Sequence, residues 1–421
     1  MNILFLTQIV PYPPDSGPKV KTWHVLRYLK ERGHRIALAT FVRPEEQAYL
    51  AAMREVCEAV HAIPIRRSRL ADLVYLLASN LTGRPFLIER DDLNSMRNLV
   101  KRTLHSGRVD VLHADQLTMT QFALPGRFGF TGGAPASEGG KKVVRVFDAH
   151  NAVWTIVQRM GENAPAILRP FARLETRRVK IYEGKVVSEF DHTLAVSEPD
   201  RQALVQALSM VSRAENGASI KVIPIAVDTD QLHHLQRVPG SRKIVTLGTL
   251  HYPPNADGIR WFVNEVFPII RQAAPGAELT IIGKNPPPDF MELDSQYPGA
   301  IEVTGYVNEL EPYLERSALM VVPVRAGGGM RVRILEAFAR GMPVVTTTIG
   351  LEGIEARPGE HVLVEDTASG FADAVVSLLN DPASQERLGV NGRRLAVQRY
   401  DWREVLRTLD QVYQGISENR R

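Results

Sequence analysis

GGGMRVRILEAFARGMPVV, residues 327–345, follows a continuous apolar run at 318–324. The stretch reads as a buried strand, a glycine loop and then a helix. Glycines let a backbone approach a ligand closely, and a helix N-terminus offers unpaired N–H donors with partial positive charge. Arg331 and Arg333 arrive within the same few residues, which suits a diphosphate. Glu336 follows one helical turn later. A carboxylate repels phosphate but accepts hydrogen bonds from hydroxyls such as those of a ribose. Strand, glycines, arginines and glutamate in this order imply recognition of a nucleoside diphosphate.

The same rhythm extends outward in both directions. Asn2–Thr7 reads as a buried strand ending in a proline-rich loop. A helix is expected over 20–31, with Val25, Leu26 and Leu29 on one face and Gly33 to end it. Further strands are expected at 35–41, 61–65, 109–113, 143–147, 192–196 and 222–225, then at 244–247, 278–282, 301–303, 319–324, 343–346 and 361–364. Short β-rich runs alternating with helical periodicity mark parallel sheets with crossover helices, an α/β fold. In such doubly wound domains the ligand crevice lies at the carboxyl ends of the strands. The informative loops do follow strands: 10–18, 148–151, 248–255 and the glycine run itself.

A chain of 421 residues exceeds what one core ordinarily serves, so two domains are the default. The reading is an N-terminal domain at 1–226, a connection at 227–240, a C-terminal domain at 241–399 and a last helix at 400–421. That helix opens at Tyr400-Asp401-Trp402 and can return to the N-terminal domain. The segment FGFTGGAPASEGG, 128–140, is small and polar and reads as a surface loop without chemistry.

No apolar run is long enough for a transmembrane helix. MNILFLTQIVPYPPDSG lacks a basic leader and a small-residue cleavage site, so it reads as a first strand and not a signal peptide. Cys57 is the single cysteine, which excludes an internal disulfide and a cysteine-cluster metal site. A cytoplasmic location is expected. The net charge of +4 fits anionic partners. Basic residues gather at Arg66, Arg67 and Arg69, and again at Arg169, Arg173, Arg177, Arg178, Lys180 and Lys185. No Gly-x-Gly-x-x-Gly or Walker A loop follows any strand, against dehydrogenases and NTPases.

With these segments in order, the chain resembles the GT-B glycosyltransferases of family 4, retaining sugar transferases that use a nucleotide-activated donor. The likeness runs from NILFLTQIVPYPPDSG through GTLHYPPNADGIRWF, VTGYVNELEPYL and GGGMRVRILEAFARGMPVVTT to the helix bearing Trp402. PYPPDSG and DAHN resemble a bacterial subgroup that builds surface polysaccharide. The resemblance implies two Rossmann-like doubly wound domains facing a central cleft.

It also implies residue roles. The family carries two glutamates at the donor site with seven residues between them. Glu336 matches the second, which binds the ribose. The first falls on Gly328, so contacts to the donor hexose come from backbone N–H groups or are absent. Arg331 and Arg333 are candidate diphosphate clamps beside the backbone of Gly327, Gly328 and Gly329. Residues two apart on a helix do not share a face, so one of the two is expected at the phosphates, Arg333 before Arg331. The alternative for Arg331 is a surface charge partner. The loop opening at Gly248 carries no Arg or Lys where family members commonly supply both.

His150 matches a histidine that touches the donor sugar, with Asp148 and Asn151 to orient it or to cap the next helix. Gly17 would approach the donor phosphate or the acceptor, although Pro18 replaces the glycine that usually follows. Tyr306 lies near the base or packs beside Tyr313. Asp228-Thr229-Asp230 looks like a metal motif but matches the turn that ends the first domain, and no metal is expected.

The implied reaction moves a hexose from a UDP- or GDP-sugar to a hydroxyl of a glycan or lipid-linked glycan, without a cofactor or nucleic acid. Arg66, Arg67 and Arg69 lead into an apolar helix at 70–81, and Arg84 precedes Phe86-Leu87-Ile88. This suits peripheral contact with an anionic membrane at the inner face of the plasma membrane. The alternative is that these helices pack on the first sheet. Two other functions fit the fold: a sugar-nucleotide epimerase, and a non-catalytic member that binds nucleotide sugar.

Overall fold

A computed structural model of the protein describes residues 1–124, 143–162, 164–212 and 220–418. The glycine-rich segment 128–140 lies outside the described residues. The chain forms two compact units, Met1–Pro224 with Leu406–Arg421, and Ile225–Val405.

The first unit is built on seven parallel strands. They are β1 (Asn2–Thr7), β2 (Arg35–Val42), β3 (Ala59–Pro64), β4 (Val111–Asp115), β5 (Val144–Ala149), β6 (His192–Ala195) and β7 (Ile220–Val222). Their order is β3-β2-β1-β4-β5-β6-β7. Leu4 of β1 pairs with Ala37 on one side and Leu112 on the other. Every residue of β4 is buried, as a central parallel strand covered on both faces must be. The order reverses direction between β1 and β4, which is where an open α/β sheet parts to admit a ligand.

The second unit repeats this plan with six parallel strands. They are β8 (Lys243–Leu247), β9 (Glu278–Ile282), β10 (Ile301–Gly305), β11 (Ser317–Val322), β12 (Val344–Thr346) and β13 (Leu363–Val364). The order β10-β9-β8-β11-β12-β13 reverses between β8 and β11. Its core holds Phe371 edge-to-face against Trp261 and Phe262, with centroids 5.5 and 5.7 Å away, the geometry that ring quadrupoles favour.

All the strands read from the sequence are present, and three of the ends that moved lie at prolines. β11 stops at Val322 and not at 324, because Pro323 has no N–H to give the ladder. β7 likewise lies ahead of Pro224. The first helix begins at Gly17, three residues early, since Pro18 fits a first turn whose N–H groups lack helical partners anyway.

Residues 227–240 lie in the second unit, where the Leu235 amide donates to Arg340 O at 3.0 Å and the Val238 amide to Glu315 O at 2.8 Å. Asp228 and Asp230 are spoken for locally. Asp228 Oδ1 accepts from the Gln231 amide at 3.2 Å, and Asp230 pairs with Arg403 at 2.7 Å. The helix Trp402–Glu418 buries Leu409, Val412, Tyr413 and Ile416. From Leu406 onward it belongs to the first unit. Among the described residues, no helix is long and apolar enough to cross a membrane.

Candidate functional site

In the second unit the candidate residues collect at the carboxyl ends of β8 and β11. Gly327 and Gly329 take left-handed backbone angles, φ 97° and 83°, which only glycine adopts cheaply. The helix that follows is Val332–Ala339, with Arg331 at its N-cap. Arg331 is therefore outside the helix and Arg333 inside its first turn, and the face argument for two helical arginines does not apply. Arg331 Nη1 donates to the carbonyls of Gly328 at 2.6 Å and Gly329 at 2.5 Å. It braces the loop. The amides of Gly328 and Gly329 donate to no described residue.

Arg333 reaches instead to the loop after β8. Its Nη2 donates to Asn255 Oδ1 at 2.9 Å and its Nη1 to Leu247 O. A Cβ on Gly248 would lie 2.8 Å from Arg333 Nη1, so glycine there leaves the guanidinium its place. Gly258 works similarly. A Cβ on it would strike Pro323 O at 2.0 Å, and its absence lets the helix Pro253–Trp261 lie against the end of β11. The positive charge missing from the 248–255 sequence is thus delivered to that loop from Arg333. Burial, reinforced by the like charge of Arg331, pulls the Arg333 guanidinium down to about 10, while Glu336 acts in the opposite sense.

Glu336 is partly buried, and no described residue hydrogen-bonds to its carboxylate. Burial pushes that carboxyl up from its ordinary range against the pull of Arg340 and Arg333. Tyr306, just past β10, makes no ring contact with Tyr313 among the described residues. The residue is 61% exposed, with the Lys284 ammonium 4.5 Å from the centre of its ring.

The first unit gathers a buried polar network at the ends of β1, β4 and β5. The β4–β5 register sets Asp115 directly beside Asp148. His150 Nε2 lies 2.7 Å from Asp115 Oδ1. A carboxylate only accepts, so Nε2 carries a proton and donates it. His150 Nδ1 is buried and has no partner among the described residues. Thr7 and Thr22 place their hydroxyls 3.1 and 2.9 Å from Asp115 Oδ2. Asp148 Oδ1 accepts from the buried Lys21 ammonium, and His113 Nε2 lies 3.6 Å from Oδ2. His113 Nδ1 in turn meets the Tyr413 hydroxyl at 2.8 Å. Burial alone would raise the Asp148 carboxyl. Lys21, with His113 and His150, outweighs that and holds it well below the usual range.

This network revises several expectations. Asp148, expected against substrate, is 1% exposed and committed to Lys21. Asp115 holds His150, the task assigned to Asp148 or Asn151. The cap expected from them falls to Glu183, whose carboxylate accepts from the Val153 amide at 2.7 Å and the Trp154 amide at 2.9 Å. Burial pushes the Glu183 carboxyl up to about 8 against these two donors, with Asp200 adding to the rise. Asp115, Asp148 and His150 bring ligand-type atoms within 4.8 Å of one another, a cluster the sequence reading did not find. Within this cluster Lys21 supplies a positive charge to Asp148, and Asp115 is held by His150, Thr7 and Thr22. Gly17 opens the helix Gly17–Glu31.

Lys21, Asp115, His113 and Lys284 were missed in the sequence. Lys21 left a signal: it stands four residues before Val25 and so falls on the apolar stripe of its helix. Lys284 left one too, a Gly-Lys pair straight after β9. Asp115 and His113 left none, because only strand pairing brings them to Asp148.

Residues 241–381 match the family model described as glycosyl transferases group 1. An uncharacterized 44.6 kDa protein of the cps region of Klebsiella pneumoniae is 25% identical over 426 residues, covering 97% of this chain and 98% of that protein. Glycogen synthase of Mycobacterium tuberculosis is 27% identical over 257 residues, 58% of this chain and 59% of that enzyme. Among solved structures, Anabaena HepE in complex with UDP-glucose superposes with a TM-score of 0.66 at 14% identity, over 99% of this chain and 100% of that one. The structural likeness shows the fold, two Rossmann-like units of the GT-B class. The family model and the relatives support a glycosyltransferase of group 1.

Proposed function

We propose that this chain moves a hexose from a UDP- or GDP-sugar to a hydroxyl of a glycan or lipid-linked glycan, with retention of configuration, as family 4 enzymes do. The observation that carries the reading is Arg333 held at Gly248 with the open Glu336 carboxylate one turn on. Arg333 and the amides of Gly328 and Gly329 stabilise the diphosphate as it leaves, which needs no metal when such donors are preorganised. Glu336 accepts from the ribose hydroxyls, and Arg331 keeps the glycine loop in shape. Tyr306 offers a ring face near the base. His150 takes a hydrogen bond from a sugar hydroxyl on Nδ1.

Asp115 and Asp148 are the carboxylates nearest His150, and both are buried and engaged. Neither is a free nucleophile, which supports front-face attack assisted by the leaving phosphate. The UDP-glucose bound by HepE supports a uridine donor. The relative from a cps region supports surface polysaccharide synthesis, carried out at the inner face of the plasma membrane. The test is donor turnover and nucleotide affinity in Glu336→Ala and Arg333→Ala. A loss of affinity on the order of tenfold or more is expected, the worth of a charge-assisted hydrogen bond. Near-wild-type turnover and affinity in both would overturn the assignment.

A further inference from the structure

We infer that the helix Arg69–Thr82 is an interfacial anchor that lays a leucine face on an anionic lipid surface. The helix is well bounded. Ser68 Oγ caps it by accepting from the Ala71 amide at 3.1 Å, and Gly83 ends it at φ 71°. Yet Ser79 is its single buried residue, so it does not pack into the unit as an ordinary sheet-covering helix would. Leu70, Leu73, Val74, Leu77 and Leu81 recur at three- and four-residue spacing along one side. Leu70 is 82% and Leu81 89% exposed. A contiguous apolar stripe held in water marks an interaction surface.

The stripe continues onto a neighbouring helix. Arg178 Nη1 of the helix Arg169–Glu189 donates to Asn80 Oδ1 at 3.2 Å. Leu174 and Phe171, one and two turns before Arg178 on its face, are exposed as well. Around this apolar ground stand Arg66, Arg69, Arg173 and Arg177, all exposed, and no described carboxylate pairs with them. Asp72 is the sole acidic residue in the helix Arg69–Thr82.

That charge pattern selects the occupant. A second copy of the chain would set unpaired arginines against one another. An anionic bilayer meets both needs, phosphates for the arginines and the acyl boundary for the leucines. At 1.5 Å per residue the helix is about 21 Å long, short of the ~30 Å hydrocarbon core, so it lies in the plane of the interface. The inference rests on the proposed function only in expecting a lipid-borne acceptor nearby, and docking is measured without any sugar.

The experiment is co-sedimentation of the full chain with vesicles of phosphatidylglycerol and phosphatidylethanolamine in equal parts, against phosphatidylcholine alone. Wild type should sediment with the anionic vesicles and not the neutral ones. Leu73→Glu with Leu77→Glu should abolish binding. Arg66→Glu with Arg69→Glu should weaken it on the order of tenfold or more and reduce its salt dependence. Donor turnover with a water-soluble acceptor should be unchanged in both variants. Wild type left in the supernatant, equal binding to neutral vesicles, or leucine variants that bind as well would each overturn the anchor. So would a wild-type dimer that the leucine variants convert to monomer, since the face would then join two copies. Absent docking with intact turnover defeats the anchor alone, and intact docking without turnover defeats the proposed transfer alone.

Discussion

Arg333 and Asn255, 78 residues apart in sequence, are joined by a hydrogen bond of 2.9 Å from Nη2 to Oδ1. The bond fixes the guanidinium beside Gly248, where a glycine is the one residue that leaves it room. The end of β8 and the helix after β11 thereby become one electrostatic unit.

Gly248→Ala should therefore act as a disguised arginine variant. The added Cβ would displace Arg333 Nη1, the movable end of a long side chain, so the fold should melt within a few degrees of wild type. Donor turnover should fall on the order of a hundredfold, the cost of removing one preorganised donor from a developing charge. Kinetics and thermal melting on the same preparation decide it. Unchanged turnover would mean that the guanidinium does not work from this position.

The Lys21–Asp148 pair should be costly to break. Removing one partner of a buried ion pair leaves an uncompensated charge and costs about 3–5 kcal/mol. Lys21→Met and Asp148→Asn should each lower stability by that order. The double variant should cost less than their sum, because no buried charge is then left alone. Asp148 is held below its unfolded value of about 3.9, so its contribution is present above that pH and is lost as pH falls through and below it. Urea titrations at neutral and acid pH read both effects. Additive losses in the double variant would show that the two side chains act separately.

Glu183 should give the opposite pH trend. Its carboxyl is raised to about 8 in the fold against about 4.3 in the unfolded chain. Between these values the folded state binds more proton, so its contribution to stability declines as pH rises through the window and levels off above about 8. Glu183→Gln cannot titrate and should flatten that decline. Parallel stability curves for the two proteins between pH 5 and 8 (about the span set by those two values) would rule the effect out. His150 stands a few residues ahead of the amides Glu183 caps, so the variant should also lower turnover.

Much of this fold was legible in the chain. Alternating apolar runs and helical spacing gave the strands of both sheets, and three of the displaced ends trace to Pro18, Pro224 and Pro323, each acting through a missing N–H. Glu336 and the two arginines were visible as a local cluster after a strand. Their division of labour was not. Arg331 and Arg333 differ because a turn boundary falls between them, which short-range spacing does not reveal.

By itself the sequence determined two parallel-sheet units and a diphosphate-suited loop, because periodicity, glycine and proline act over a few residues. The tertiary structure decided which side chains work together. Strand register put Asp115 beside Asp148, and the burial of Asp148 made Lys21 its counter-charge. Packing at Gly258 and Gly248 brought Arg333 to a loop that has no cation of its own. Exposure, too, was a tertiary outcome. The helix Arg69–Thr82 has the composition of a buried element, and only the fold left its leucines facing outward.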